Sequence, residues 1–308
     1  MNLRTIFRLC AIVTMTLAIA ACNGTGGDSH PQDDSTANTL MGGKRHGKRN
    51  SQQRQQQQQQ QQGTGEYRST GDATLLNVKL PDRLDNQVVK HYAITVHYNK
   101  YYRLPNCVAY ELTATQTSMS DAPGAEKRSN YQFERDTKAQ GCPDWWEYKN
   151  TGYDRGHMAP AMDMRWNKQA MSDCFLMSNM CPQRHDLNDG EWRHMEEAIH
   201  NWARKMQRLV IFTGPILTSN MKRTGPKHDI AVPEAFFKVV YAPDKRKAIA
   251  FIMENREATR SWTRYATTID QVEQRTGYDF LSALPDDVEQ AVESMQNIND
   301  WPTYTPRR

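Results

Sequence analysis

Hydrophobic and polar positions change texture near residue 74. From there the chain shows short runs rich in β-branched and aromatic residues, separated by turns. Val88 to Tyr98 sets Val89, Tyr92, Ile94, Val96 and Tyr98 against polar neighbours, which predicts a half-buried strand. Cys107–Thr113, Asp173–Met180, Leu209–Thr213, Ala235–Tyr241 and Lys247–Met253 predict further strands. Residues 114–150 are polar and loop-like. In Glu191–Met206 the residues Trp192, Met195, Ile199, Trp202, Ala203 and Met206 recur at helical spacing and predict one amphipathic helix. Thr267–Glu273 and Asp286–Met295 predict shorter ones. Strands in antiparallel-like runs with unevenly placed helices indicate an α+β fold in one domain over 74–308, not a regular βαβ alternation.

The first 73 residues have a different character. Arg4 and Arg8 precede the apolar run Leu9–Ala21, which meets Cys22. A spanning helix needs ~20 apolar residues, so this run reads as a secretory signal over 1–21. Ile19-Ala20-Ala21-Cys22 resembles a bacterial lipobox, which implies acylation of Cys22 and a membrane anchor facing the periplasm or cell exterior. An ordinary signal peptide with an incidental cysteine is the alternative. Residues 22–73 then read as a disordered Gln-rich tether, with Gln55–Gln62 unbroken; such a composition buries too little apolar surface to offset its ordering entropy.

Charge and cysteine content narrow the picture. The chain carries 39 Lys+Arg and 35 Asp+Glu, and the excess of four lies entirely before residue 71. The main domain is therefore neutral, and net charge gives no case for nucleic-acid or membrane binding there. The mean hydropathy of −0.83 excludes a multi-span membrane protein. Of six cysteines, Cys10 leaves with the signal and Cys22 takes lipid. The remaining Cys107, Cys142, Cys174 and Cys181 in an exported domain favour two disulfides. Free buried thiols and a zinc site with His185 are alternatives, though no zinc spacing is present.

Two segments carry the chemistry. In Asp154-Arg155-Gly156-His157 the Arg and His fall two apart, on one face of an extended segment. Arg is suited to clamping phosphate, and its charge disfavours protonation of a neighbouring imidazole. The second segment runs Ser178-Asn179-Met180-Cys181-Pro182-Gln183, then Asp186-Leu187-Asn188-Asp189-Gly190-Glu191-Trp192 and on to Glu196. Eight residues separate Asn188 and Glu196, which on one continuous helix is ~80° of rotation, so both could face one site. Oxygen donors suit Mg²⁺. A neutral histidine base, an arginine and a hydrated Mg²⁺ are the parts of a phosphodiester hydrolase. Taken singly, His157 also fits a buried core histidine, and Asn188 with Glu191 also fits a capping box.

Together these blocks resemble the DNA/RNA non-specific endonuclease family. The Asp-Arg-Gly-His signature stands at 154–157, Ser-Asn-x-x-Pro-Gln at 178–183 and Leu-Asn-x-Gly-x-Trp at 187–192. The likeness continues through Phe212-Thr213-Gly214-Pro215 and Phe237-Lys238-Val239. The resemblance implies a central, mainly antiparallel sheet flanked by helices, containing a ββα-metal (His-Me finger) motif. It implies cleavage of DNA and RNA to 5′-phosphate products, with His157 as general base and Asn188 as direct ligand of one Mg²⁺, for which Mn²⁺ could substitute. Glu196 would act through metal-bound water and Arg155 on the phosphate. Asn179 would shape the catalytic centre and Gln183 the substrate side. Relatives often carry an Arg four residues after the Glu; here that position is His200, with Arg204 one turn on. An upstream arginine of the family has two candidates, Arg128 and Arg135. The alternative is a catalytically inactive nucleic-acid or surface-binding protein on the same fold. No protein partner is identified.

Overall fold

The computed structural model describes residues 72–304. The signal segment, Cys22 and all but the last two residues of the Gln-rich tether lie outside them. Described structure starts at Asp72, whose carboxylate caps a 3-10 turn over Ala73–Leu76.

Strands in chain order are β1 (Gln87–Lys90), β2 (Ile94–Asn99), β3 (Leu104–Thr113), β4 (Asp154–His157), β5 (Met180–Gln183), β6 (Arg208–Ile216), β7 (Lys222–Thr224), β8 (Ile230–Val232), β9 (Ala235–Ala242), β10 (Lys247–Glu254) and β11 (Ala266–Thr267). Helices among the described residues are α1 (Ala114–Ser120), α2 (Ala161–Met164), α3 (Lys168–Cys174), α4 (His185–Asn188), α5 (Glu191–Met206), α6 (Ile269–Thr276) and α7 (Asp286–Glu293). Seven strands form one sheet in the order β1-β2-β3-β6-β9-β10-β11, every pairing antiparallel. β4 and β5 form a separate antiparallel ribbon, which with the helices after it makes the ββα unit.

The sheet is covered on both faces. Val108, Tyr110, Leu209, Ile211, Phe236, Val240 and Phe251 point into the core beneath α5. Their alternates Ala109, Val210, Phe212, Phe237 and Val239 point into a second core closed by Ile269 and Val272 of α6 and Val292 of α7. Central strands buried on both sides lose the polar alternation of a half-exposed strand and read as continuous apolar runs. This is the α+β architecture the sequence implies.

Three expectations are corrected. Val88–Tyr98 is a hairpin of β1 and β2, not one strand. His91 N–H donates to Ile94 O at 2.9 Å to close the turn. The turn is also pinned from afar, by Asp136 on His91 Nε2 (2.9 Å) and Asp173 on Tyr92 N–H (2.7 Å). Asp173–Met180 is the end of α3, a turn and the start of β5. Asn167 caps α3 by accepting from Gln169 and Ala170 N–H, and a short apolar run looks alike in either setting. Finally, the four cysteines are free, buried thiols, not disulfides. Cys107 lies in one core and Cys142, Cys174 and Cys181 in the other, across the sheet. Cys174 and Cys142 donate to the carbonyls of Met171 and Pro143.

Candidate active site

β4 presents the Asp-Arg-Gly-His segment, paired to β5 with Asp154 opposite Gln183 and Gly156 opposite Cys181. Arg155 and His157 share a face, as strand alternation requires. Both meet Phe133: the guanidinium carbon stands 4.4 Å from the ring centroid and the imidazole centroid 5.5 Å away. Phe175 closes the other side of His157 at 5.1 Å, edge to face. Arg128 lies over Phe175 at 5.2 Å. Burial, then the charges of Arg128 and Arg155, depress the His157 pKa to about 3. The ring is therefore neutral, and its buried Nε2 has no hydrogen-bond partner among the described residues. Of the two upstream arginines, Arg128 is the one whose charge reaches His157; Arg135 pairs with Asp144 at 3.9 Å.

Glycine at 156 is a requirement of close approach. A Cβ there would meet Gln183 Oε1 at 2.1 Å and its Cβ at 2.6 Å. Gln183 thus fills the space behind the strand, fully buried, on the face from which Arg155 and His157 point away. Asn179 is also fully buried. Its Oδ1 accepts from Ala159 N–H (2.9 Å), and its Nδ2 donates to Ala159 O (3.0 Å) and Cys174 O (2.9 Å). With those bonds made, it fixes the chain just after His157.

Asn188 is not on the same helix as Glu196. It ends α4, and Asp189-Gly190 intervene before α5, so the 80° relationship does not apply. Neither does the cap: Gly190 occupies the N-cap position of α5, where a Cβ would meet Asp186 O at 2.2 Å. Instead Asn188 Nδ2 donates to Asp154 Oδ2 at 2.9 Å, and His185 Nδ1 lies at the same distance from that oxygen. Because a carboxylate holds the amide nitrogen, the carbonyl Oδ1 is the end left for a cation. A neutral oxygen beside a carboxylate is a donor set that suits hard divalent ions.

Glu196 lies in the core side of the site. Trp192 Nε1 (3.0 Å) and Lys238 Nζ (2.9 Å) both donate to its Oε1, leaving Oε2 to neither. Burial raises its pKa to about 6 against the opposing pull of Lys238. Lys238 comes from the middle of β9, has no exposed surface, and donates also to Met158 O at 3.3 Å. It thereby ties the residue after His157 to Glu196. No role was read for it from sequence; its signal was one charge within the apolar run Ala235–Ala242.

His200 and Arg204 do not join this group. His200 is buried, with Nδ1 2.7 Å from Asp163 Oδ1 and Nε2 3.4 Å from Asp121 Oδ2. Asp163 also accepts from Tyr110 Oη at 2.8 Å. Both residues pair with carboxylates, His200 with Asp163 and Asp121 and Arg204 with Asp121.

Comparison with known proteins gives a consistent picture. The family described as DNA/RNA non-specific endonuclease matches residues 71–287. The mitochondrial Nuclease 1 of Schizosaccharomyces pombe is 28% identical over 225 residues, covering 67% of this chain and 69% of that protein. A nuclease of Serratia marcescens is 28% identical over 225 residues, covering 68% and 80%. Human mitochondrial endonuclease G is 30% identical over 149 residues, covering 44% and 50%. Among solved structures, a chain of the EndoG/EndoGI complex superposes with a TM-score of 0.60 at 24% identity, covering 65% of this chain and 87% of that one, a likeness of fold.

Proposed function

The chain belongs to the DNA/RNA non-specific endonuclease family, and we propose that it is a Mg²⁺-dependent endonuclease cleaving DNA and RNA at the centre built on β4. The observation that carries this reading is the neutral, unpartnered Nε2 of His157, whose ring packs on the same Phe133 and Phe175 that carry the guanidinium groups of Arg155 and Arg128.

In this reading the arginines receive the phosphate. Its negative charge offsets theirs, so the imidazole, held far below its ordinary basicity in the free protein, regains the capacity to accept a proton. His157 takes a proton from water, whose oxygen attacks phosphorus in line while the bond to the 3′-oxygen breaks, and the departing 3′-oxygen takes a proton from a second water. The products carry 5′-phosphate and 3′-hydroxyl ends. Arg155 stabilises the charge that builds on the phosphate oxygens. Asn188 Oδ1, oriented by Asp154, would hold the Mg²⁺, and Glu196 would act through water around it. When bound, the ion supplies positive charge to the phosphate and leaving oxygens. Mn²⁺, which favours similar oxygen ligands, would substitute.

The test is nicking of supercoiled plasmid, and cleavage of a structured RNA, with Mg²⁺, with Mn²⁺ and with EDTA. The reading predicts cleavage of both polymers, arrest by EDTA, and ends that ligate without kinase treatment. His157→Ala should lose ~10²–10⁴ in rate while keeping its circular dichroism. Asn188→Ala should need more metal. A well-folded protein that binds but never cuts is the inactive-scaffold alternative.

Export by a lipidated Cys22 is also proposed, supported by Arg4, Arg8, the run Leu9–Ala21 and the small residues before Cys22. Cys22→Ser should move the protein from the membrane fraction to the soluble one. A wild type that is wholly soluble would overturn it.

A further inference from the structure

Next to the catalytic strand the molecule exposes two consecutive tryptophans. Trp145 and Trp146 open a 3-10 turn, Trp145–Tyr148, and are 40% and 46% exposed. The other five tryptophans are buried or half-buried. Exposing two large rings side by side in water is unfavourable, and large apolar surface left outside commonly marks a binding site.

The turn that presents them is firmly held. Asp144 and Glu147 form a capping box. Glu147 takes a two-pronged ion pair from Arg103, with both N–O distances 2.9 Å. Tyr148 is buried in the core. So the second half of the turn is fixed within the protein while the first half faces outward, and the rings are displayed from a rigid base.

Their surroundings specify the occupant. Arg155, assigned above to the scissile phosphate, donates from Nη1 to the main-chain carbonyl of Trp145 at 3.4 Å. Lys149 Nζ lies 4.5 Å from the Trp145 ring centroid. Arg135 reaches the start of the turn through Asp144. Aromatic faces interleaved with cations, continuous with a phosphate-directed arginine, match a polyanion whose flat bases are free to stack. Bases inside a duplex are already stacked on one another; only unpaired ones can take up such a face.

We propose that Trp145 and Trp146 form a stacking platform for unpaired nucleobases flanking the cleaved phosphate, and that it favours single-stranded over duplex substrate. This rests on the nuclease reading above. Both rings lie outside the set of groups assigned to the chemistry. The carbonyl that receives Arg155 belongs to the backbone, so side-chain substitution leaves it in place.

The experiment uses the full chain with Trp145→Ala/Trp146→Ala. Binding of fluorescent oligo(dT) and of a duplex of equal length is measured by anisotropy in EDTA, in a His157→Ala background. Stacking on exposed aromatics is typically lost at ~5-fold or more per base on alanine substitution, so oligo(dT) affinity should fall by at least that and duplex affinity by less than about 2-fold. Trp145→Phe/Trp146→Tyr should restore most of the single-strand affinity. In the catalytically active background, KM for single-stranded DNA should rise with duplex cleavage nearly unchanged. Equal losses on both substrates, or none, would overturn the platform. So would a failure of the aromatic replacement to rescue, or an oligomer that dissociates on substitution. A wild type that binds oligo(dT) through these rings yet cleaves nothing would refute the nuclease reading and leave the platform standing.

Discussion

Lys238 Nζ lies 2.9 Å from Glu196 Oε1 with neither residue appreciably exposed, a buried ion pair joining the centre of the sheet to α5. Removing one partner of such a pair leaves a charge without compensation, typically ~3–5 kcal/mol of stability. Lys238→Met should therefore lower the melting temperature by roughly 10 °C, at ~2–4 °C per kcal/mol for a domain of this size. Because Lys238 also holds Met158 O, cleavage should drop as well. Adding Glu196→Gln to Lys238→Met should cost much less than the sum of the two single changes. Strict additivity in thermal denaturation would show that the pair is not coupled.

Gly156→Ala places a Cβ against Gln183, which has nowhere to go inside the core. Overpacking of this sort costs ~1–3 kcal/mol, and here the strain falls on the residue next to His157. Activity should fall more steeply than stability. Gln183→Ala added to it should rescue only in part, since the Gln183 Cβ itself lies 2.6 Å from the new methyl position. Comparing kcat and denaturation midpoints for the three variants checks this.

His157 should remain neutral well below the ordinary histidine range, because its pKa is depressed to about 3. In NMR of the metal-free protein its ring nitrogens should not titrate between pH 7 and 4.5. The unfolded chain does take up that proton below ~6.5, so this residue makes stability decline as pH falls through that window. Adding a non-hydrolysable phosphodiester should bring the titration back upward. A ring that titrates near 6.5 without ligand would contradict the arrangement with Arg128 and Arg155.

Glu273 and Glu293 act in the opposite direction. With Asp270 they bring carboxylate oxygens within 4.8 Å of one another. Burial, and then the neighbouring acids, raise Glu273 to about 7 and Glu293 to about 8. A carboxyl raised in the folded state contributes stability at acid pH that is lost as pH climbs through its folded value. Melting temperature should decline from about pH 4.5 to about pH 8, between the unfolded and the folded carboxyl values, and Glu293→Gln should flatten that decline. An unchanged slope in the variant would exclude Glu293 as its source.

What the sequence revealed followed the strength of local pattern. α5 was readable end to end, because its apolar stripe is long and faces a single core. β6, β9 and β10 were found with their ends within a few residues, as buried runs bounded by turns. The hairpin of β1 and β2 was not, because its turn is held by Asp136 and Asp173, far along the chain. In the site, the shared face of Arg155 and His157 followed from strand alternation alone. The bond from Asn188 to Asp154 did not, since it depends on how α4 docks on β4. Phe133 and Phe175 carry no local mark that sets them apart from ordinary core, Lys238 shows only as one charge in an apolar run, and the partners of His200, Asp163 and Asp121, lie far along the chain.

The four unpaired thiols bear on how the domain is made. Among the described residues no covalent cross-link has to form, be shuffled or be protected. Burial holds each sulfur as the protonated thiol, well above its ordinary pKa, and therefore a poor nucleophile toward oxidants. Dithiothreitol should leave its melting temperature and nuclease rate unchanged, and refolding from denaturant should require neither glutathione nor an isomerase.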